Sequence, residues 1–178
     1  KNLSNIFITP MSTTEYILAN CLLALLRAVL VFAVVAVAAA LVFGFNVLSI
    51  GIVTFVLAFA ILTVFAWGIG WLLLGFVFRY GTGIQAVTWG AVYFFQPLTA
   101  AFFPVSVLPG PLQAVAYAFP PTYAFEASRH AATAGGVDWH LLLPGLLLDG
   151  LWFAAGVVSF NRLFRRSRVI GQFARNDS

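Results

Sequence analysis

The stretch AVLVFAVVAVAAALVF (residues 28–43) opens a run of 51 residues, Ala28 to Phe78, that contains no charged side chain. A second uncharged run of 46 residues extends from Tyr80 to Phe125. About 20 apolar residues cross the hydrocarbon core of a bilayer, so each run has room for about two crossings, or for one crossing and a segment that enters and returns. These runs predict an integral membrane protein rather than a soluble domain.

The composition agrees with a membrane location. Of 178 residues, 62% are hydrophobic and 8% are charged, whereas roughly a quarter are charged in soluble domains. The apolar segments continue to residue 160, unlike a secretory signal followed by a polar mature domain. The chain opens on Lys1 and its only methionine is Met11, which indicates a piece of a longer protein with further spans upstream. Its single cysteine, Cys21, excludes an internal disulfide and a cysteine-based metal cluster.

The sequence predicts an all-α protein with four membrane-spanning helices. Residues 1–19 are polar enough to lie at a membrane surface, and Ser12 to Glu15 offer hydroxyl caps followed by an acid, as at a helix start. A short turn from Gly44 to Ser49 separates the first two spans. The spans are predicted at residues 20–43, 50–78, 85–103 and 141–160.

Arginines at the end of the chain predict its orientation. Five of them fall in the final 17 residues, and basic residues beside a span favour the cytoplasmic side. Residues 161–178 are therefore predicted to form a cytoplasmic tail. With four spans, the N-terminal segment and Arg79 lie on the same side, and residues 104–140 lie on or in the outer face.

Two charged residues fall inside predicted spans. Arg27 lies two turns into the first span, about 10 Å deep, where its stem allows the guanidinium to snorkel to the headgroups. A role in a transport path is the alternative. Asp149 lies in the middle of the last span, where a carboxyl group is a functional hypothesis by default. A protonated or hydrogen-bonded structural role, or a position nearer the outer surface, is the alternative.

The segment before the last span contains five prolines within 18 residues, which excludes one straight helix. Leu112 to Phe119 is as apolar as a span but too short to cross. We therefore predict a re-entrant hairpin at residues 108–135, with its turn at Pro120 and Pro121. A second short helix is expected to begin with Thr122 as its cap and to end at Gly135. On that helix, Glu126 and Arg129 have the spacing of an ion pair.

Three stretches carry a resemblance to a known family. NIFITPMSTTE (residues 5–15) is similar to a cytoplasmic segment of the form Thr-Pro-Leu-Ser-x-x-Glu, and FPVSVLP (103–109) is similar to Pro-x-Ser-x-Leu-Pro. PPTYAFEASR (120–129) is similar to Pro-Leu-Thr-Tyr-x-x-Glu-x-x-Arg, except that Pro121 stands where the family more often has another apolar residue. In this order and spacing they resemble the membrane subunits of type-2 ATP-binding-cassette (ABC-2) exporters.

The resemblance implies a role for each matching segment. The chain would hold the last four of six spans of a permease in the plasma membrane, which in bacteria is the inner membrane. A separate ATPase subunit would bind ATP and Mg²⁺, so this chain needs no cofactor of its own, and a second membrane subunit, identical or different, would complete the path. The residues implied in ATPase coupling are Thr9, Pro10, Met11, Ser12 and Glu15. Those implied in the outer hairpin, as a gate or as a stabilising ion pair, are Pro120, Pro121, Tyr123, Glu126 and Arg129.

The sequence contains little that would indicate nucleotide binding, metal binding or nucleic-acid binding. Lys1 is the only lysine, so a phosphate-binding loop with its lysine is absent. His130 and His140 lack a second cluster of ligands, which argues against a metal site. The arginine tail is better explained by orientation and anionic headgroups than by nucleic acid. Two alternatives stay open: a membrane-embedded enzyme that modifies a lipid with Glu126, His130 or Asp149, and an ion-coupled carrier that uses Asp149.

Overall fold

The computed structural model describes residues 13–169, and this part of the chain is built from helices and irregular connections, without a β-strand. The predicted all-α fold class is confirmed. Short 3₁₀ turns at Val47–Ile50, Thr82–Ile84 and Val105–Val107 lie in the connections. The α-helices of the described part are α1 (Thr13–Phe43), α2 (Ile52–Tyr80), α3 (Gln85–Leu98), α4 (Gly110–Ala116), α5 (Pro120–Thr133) and α6 (Trp139–Val169).

Three helices of the described part are long and apolar enough to cross a membrane. They are Thr14–Phe43, Ile52–Tyr80 and Trp139–Arg166, and they overlap the spans predicted at 20–43, 50–78 and 141–160. Helix α1 begins within the predicted Ser12 to Glu15 start region and carries Glu15 in its first turn. Ser12 itself lies outside the described residues.

The span predicted at residues 85–103 is not one crossing helix, so the count of four helical spans is not confirmed. Helix α3 has 14 residues, which gives about 21 Å against a hydrocarbon core of about 30 Å. Pro97 occupies its last turn, and Ala100 adopts φ 59°, outside the right-handed helical region. The chain then continues as irregular backbone to Pro109, apart from one 3₁₀ turn.

Helices α2 and α6 form the central pair, and two glycines allow their backbones to touch. A Cβ on Gly68 would lie 3.0 Å from the Phe153 Cα, and a Cβ on Gly156 would overlap the Gly68 carbonyl. Small residues at such contacts are a common means of packing membrane helices closely. The absence of a Cβ at these two positions is therefore a requirement of this crossing.

The two central helices run in the same direction. Residues later in α2 contact residues later in α6, as three pairs show: Ile61 with Gly145, Gly68 with Gly156, and Gly75 with Phe160. Two parallel helices joined by the intervening chain require that chain to return along their length. Residues 81–138 must therefore travel back from the end of α2 to the start of α6.

The return path is helical only in its first half. The Phe95 ring, near the end of α3, lies 5.1 Å from the Phe119 ring. Phe119 packs against Phe65 and Trp152, with ring centroids 6.4 Å and 5.5 Å away. Because Phe65 and Trp152 lie near the midpoints of α2 and α6, helix α3 reaches only about half the depth of the pair. The irregular residues 99–109 make the remainder of the return.

A helical hairpin follows, and its tip also reaches the middle of the central pair. Helix α4 descends to the tip at residues 117–119, and α5 returns beside α2 and α6. Ala124 and Ala127 of α5 are buried in one cluster with Ile61 and Leu142. Helix α5 also contacts the 3₁₀ turn Val47–Ile50, at the end where α2 begins. Helices α4 and α5 thus form a hairpin whose tip lies beside the middle of the central pair.

The prolines of the hairpin do not occupy its turn as predicted. Pro120 and Pro121 are the first residues of α5, and Phe119 is the residue that precedes the helix. Proline is favoured in the first helical turn because its missing N–H would have no intrahelical partner there. Thr122 consequently lies inside the helix and is not its cap. The helix ends at Thr133, and Gly135 follows with φ 71°.

The basic end of the chain is more helical than expected. Helix α6 continues from the predicted end of the span at residue 160 to Val169, so residues 161–169 of the predicted tail are helical. Residues 170–178 lie outside the described part. The arginines at this end lie far from the hairpin, since α6 starts beside the hairpin and ends beside the last residues of α2.

Substitution of Gly156 by alanine is expected to destabilise the fold. The added methyl group meets the Gly68 backbone, and overpacking of this kind costs about 1–3 kcal/mol. We expect the midpoint of thermal unfolding of the purified protein to fall by several degrees. Gly150→Ala is the matched control, because nothing lies within 4 Å of a Cβ there. Equal midpoints for the two variants would contradict the proposed close contact.

Candidate functional site

Side chains bond three consecutive carbonyl groups at the tip of the hairpin, residues 116–118. The Thr122 hydroxyl donates to the first of them at 2.6 Å, and the Tyr123 hydroxyl donates to the second at 3.1 Å. The Trp152 indole N–H of α6 donates to the third at 3.0 Å. The last carbonyls of a helix lack intrahelical partners, so these bonds complete the end of α4 at a depth where apolar residues surround it.

Glu126 and Arg129 hold the irregular backbone between α3 and α4. Glu126 Oε1 accepts a hydrogen bond from Val105 N at 2.9 Å. Arg129 Nη2 donates to the carbonyls of Ala100 and Phe103, the latter at 3.0 Å. Arg129 Nε lies 3.6 Å from Glu126 Oε1. We call this pair, with the three backbone groups it bonds, the α5 clamp.

The α5 clamp fulfils a physical requirement of the return path. Irregular backbone at membrane depth is tolerated only where the protein satisfies its N–H and C=O groups. Ala100 and Val105 are almost fully buried and belong to the cluster that includes Ala116 at the end of α4. The predicted ion pair therefore exists, and each of its members also bonds the segment between Ala100 and Val105. This placement supports the stabilising interpretation of the pair directly.

The remaining hairpin residues pack rather than face a solvent cavity. Pro120 and Pro121 are buried at the start of α5. The Tyr123 ring lies 5.5 Å from the Tyr117 ring, and its Cβ lies 2.9 Å from the Cβ position of Gly145. Tyr123 thus joins the hairpin tip to α6.

Asp149 is a buried polar residue of α6. Its side chain is 2% exposed, and its Oδ1 has no hydrogen-bond partner among the described residues. Gly145 and Trp152, one turn before and after it, contact α2 and the hairpin tip, so Asp149 lies on the packed face of the helix. Asp149 is therefore buried between the helices of the central pair.

Arg27 is an exposed residue of α1. Because α1 begins at Thr13, the arginine is about 20 Å from the helix start. Its neighbours Ala24 and Ala28 line clefts together with Trp67 and Thr63 of α2. These contacts place Arg27 level with the middle of α2, and snorkelling and a role in a transport path both stay predictions.

An apolar cleft of about 660 Å³ separates α1 from α2 and α5. Phe32 of α1 and Phe55 and Phe59 of α2 form an aromatic cluster along it, with centroids 5.1 to 6.2 Å apart. Thr63 and Ser128 supply hydroxyl groups to its lining. The cleft suits an apolar molecule or an acyl chain better than a polar solute.

The predicted coupling residues are only partly described. Thr9, Pro10, Met11 and Ser12 lie outside the described part of the chain. Glu15 is exposed in the first turn of α1. The next residue, Tyr16, packs edge-on against Trp71 with centroids 6.3 Å apart, so the start of α1 is fixed to the second half of α2.

Of the residues named for a lipid-modifying enzyme, Glu126 bonds Val105 N, His130 is exposed near the end of α5, and Asp149 is buried on α6. Ser128 Oγ donates to Ala124 O at 2.7 Å, so its hydroxyl is used within its own helix. His130 Nδ1 lies 3.9 Å from Asp138 Oδ2, with the histidine exposed. Among the described residues, no group of three or more His, Cys, Asp or Glu side chains could hold a metal ion.

Comparison with known families decides the assignment. The family model for ABC-2 type transporters matches residues 1–132, which include the predicted coupling residues, the irregular return and nearly all of α5. The chain belongs to the ABC-2 type transporter family. No curated protein and no solved structure matches it.

As an ABC-2 family member, the chain is a multi-pass membrane component of a transporter. ABC-2 permeases generally work with an ABC ATPase. The match ends at residue 132, so α6, which carries Asp149, lies beyond it. Within the matched part, the motif around Glu126 and Arg129 is the sequence that forms the α5 clamp.

Sequence reasoning missed the partners that make the clamp and the tip. Val105, Ala100 and Phe103 contribute backbone groups, and no side-chain pattern identifies a backbone partner. Trp152 of α6 donates its indole N–H to Ala118 O, and an indole N–H at an apolar contact usually finds an acceptor. That need for an acceptor was the only available signal.

Removal of the Glu126 carboxylate is expected to free the Val105 amide. In Glu126→Ala we expect faster hydrogen exchange in peptides covering residues 104–108, because the amide loses its acceptor. Arg129→Ala leaves two carbonyls without their donor, and such losses cost about 1–3 kcal/mol, so the unfolding midpoint should fall. His130→Ala, on the same helix but outside the clamp, is the control. Unchanged exchange in Glu126→Ala would rule out the clamp.

Substitution of Asp149 by asparagine is expected to leave stability unchanged or to raise it. The asparagine side chain has nearly the same shape as that of aspartate. The carboxyl group that it replaces has an oxygen without a hydrogen-bond partner, and such an oxygen contributes nothing favourable to stability. Thr122→Val is the contrasting control, because it removes a buried hydroxyl that is bonded. Thermal unfolding of both variants provides the measurement. An equal loss in Asp149→Asn would indicate that Asp149 has a partner in the assembled transporter.

Proposed function

We propose that this chain is the permease subunit of an ATP-driven exporter, which forms a substrate path with a second membrane subunit and is moved by a separate ATPase. The observation that carries the proposal is the ABC-2 family match across residues 1–132. The chain has one lysine, Lys1, and thus no phosphate-binding loop of its own. ATP and Mg²⁺ would be bound by the partner, and this chain would perform no covalent chemistry.

The proposed orientation places the arginine-rich end of α6 in the cytoplasm and the hairpin towards the outer face of the plasma membrane, the inner membrane in bacteria. The positive-inside rule supports it. So does the separation of the two features, because Arg162, Arg165 and Arg166 lie at the opposite end of the central pair from α5. The coupling segment would then meet the ATPase in the cytoplasm.

The hairpin would act as the outer closure of the path. Its tip reaches the middle of α2 and α6, and α5 contributes Ala124, Phe125 and Ser128 to the apolar cleft beside α1. Movement of α1 relative to α2 would change the width of that cleft, since α1 has little buried surface against the rest of the described chain. The α5 clamp would keep the hairpin and the irregular return together as one unit during that movement.

An ion-coupled carrier is the second candidate, favoured by the buried, incompletely bonded Asp149. The two candidates differ in their energy source. Transport into or out of vesicles that requires ATP and the ATPase subunit supports the exporter, whereas transport driven by a proton gradient without ATP supports the carrier.

Coupling is tested with the full-length permease and its ATPase partner. We expect Thr9→Ala with Pro10→Ala, and separately Glu15→Gln, to reduce ATP-driven transport by roughly five- to 100-fold, the range of typical coupling energies. Co-purification of the two subunits verifies assembly for each variant. Asn20→Ala is the control, because it changes an exposed residue of α1 one turn beyond the proposed segment.

Two results would count against parts of the proposal. An intact complex whose transport ignores the Thr9, Pro10 and Glu15 changes would contradict the coupling segment. A permease that never associates with an ABC ATPase would contradict the exporter function itself.

A further inference from the structure

A groove at the arginine-rich end of the central pair is used neither by the hairpin nor by the proposed coupling segment. It has a volume of about 500 Å³ and lies between α2 and α6. Arg162, Arg165 and Arg166 contribute to its lining together with Ser159. The candidate span of α6 ends at Arg166, so the groove lies where the apolar part of the helix pair ends.

The charges of the groove are of one sign. The three arginines are spaced i, i+3 and i+4, which places them on neighbouring positions of one helix face. All three are exposed, and the groove lining contains no acidic residue. The described acid on the same helix, Asp149, lies 13 residues before Arg162, about 20 Å along the axis. Guanidinium groups bind phosphate oxygens with paired hydrogen bonds, so this cluster is complementary to a phosphate group.

The floor of the groove is apolar. Leu72 and Phe76 of α2 and Leu163 of α6 line it. Leu163 also closes on the Gly75 Cβ position at 3.0 Å. On the opposite side of the pair, Phe78 and Phe164 pack with centroids 5.5 Å apart. The two walls are therefore fixed before a ligand arrives.

From this arrangement we propose that the groove is a binding site for an anionic phospholipid of the surrounding leaflet. The arginines bind the headgroup phosphate, Ser159 lies within the lining below them, and an acyl chain lies on Leu72 and Phe76. A basic pocket between membrane helices is a known setting for anionic headgroups. The apolar floor favours a lipid over a soluble anion, which would leave that surface exposed.

An acidic surface of a partner protein is the competing occupant. The arginines alone would suit it as well, but a rigid apolar floor between two spanning helices offers an acidic loop nothing complementary. The inference requires only that the chain spans a membrane. It is therefore independent of the exporter proposal.

Retention of lipid by the purified full-length permease tests the site. The protein is titrated in mild detergent with phosphatidylglycerol or with phosphatidylcholine of the same acyl chains, and bound lipid is counted by native mass spectrometry. We expect phosphatidylglycerol to bind preferentially. Arg162→Gln with Arg166→Gln should weaken that binding by about fivefold for each arginine removed.

Matched variants separate the groove from general surface charge. Arg79→Gln removes a positive charge at the end of α2 that lies beside the arginines of α6, but outside the groove lining. It should leave the retention of phosphatidylglycerol unchanged. Arg162→Lys with Arg166→Lys keeps the charge and should retain more phosphatidylglycerol than the glutamine pair. The unfolding midpoint in phosphatidylcholine alone verifies that each variant is folded.

Four outcomes would overturn the proposal. If Arg79→Gln lowers phosphatidylglycerol retention as much as Arg162→Gln or Arg166→Gln alone, the lipid responds to diffuse surface charge. Equal binding of free glycerol phosphate and of phosphatidylglycerol would indicate a soluble-anion site. Unchanged phosphatidylglycerol retention in the glutamine pair would place the lipid elsewhere. Lipid retention that disappears when the ATPase binds, with loss of ATPase affinity in the glutamine pair, would assign the arginines to the partner protein.

Discussion

The central constraint in this structure is that backbone polar groups surrounded by apolar residues must be bonded by the protein itself. Helices α2 and α6 run in the same direction, so the chain between them has to return along their length. A helix meets the constraint automatically, but α3 ends at Leu98, about halfway. Outside α4 and one 3₁₀ turn, the backbone from Thr99 to Phe119 therefore depends in part on bonds supplied by other elements.

Helix α5 and α6 supply those bonds at two levels. Near the tip, the side chains of Thr122, Tyr123 and Trp152 bond the carbonyls of residues 116–118. One to two turns further along α5, Glu126 and Arg129 bond the backbone of the irregular return. The hairpin and the return path are thus one connected unit, in which the charged pair of α5 bonds irregular backbone.

The functional features are distributed along the axis of the central pair. At one end lie the hairpin and the apolar cleft, and at the other lie the arginines of α6. Between them, Asp149 and Arg27 occupy the middle level, one buried between helices and one exposed on α1. Because α1 has little buried surface, the part of the chain best able to move is the helix that carries Arg27 and begins beside the proposed coupling residues.

Several features of the fold could be predicted from sequence because they depend on local composition. The uncharged runs fixed the membrane class, and the proline-rich segment fixed a hairpin before the last span. Three motifs were sufficient to identify the ABC-2 family. Glu126 and Arg129 were recognised as a pair because their spacing along one helix is a local property.

Other features were decided only in three dimensions. The span predicted at 85–103 is helical only to Leu98, because the apolar content of a segment does not reveal where its backbone leaves the helix, here beyond Pro97. The partners of Glu126 and Arg129 are backbone groups 21 to 29 residues earlier, and backbone groups carry no sequence signal. By itself the sequence determined that the chain lies in the membrane and which motif is charged. The tertiary structure decided which groups those charged side chains bond, because the parallel packing of α2 and α6 brings the irregular residues 99–109 past α5.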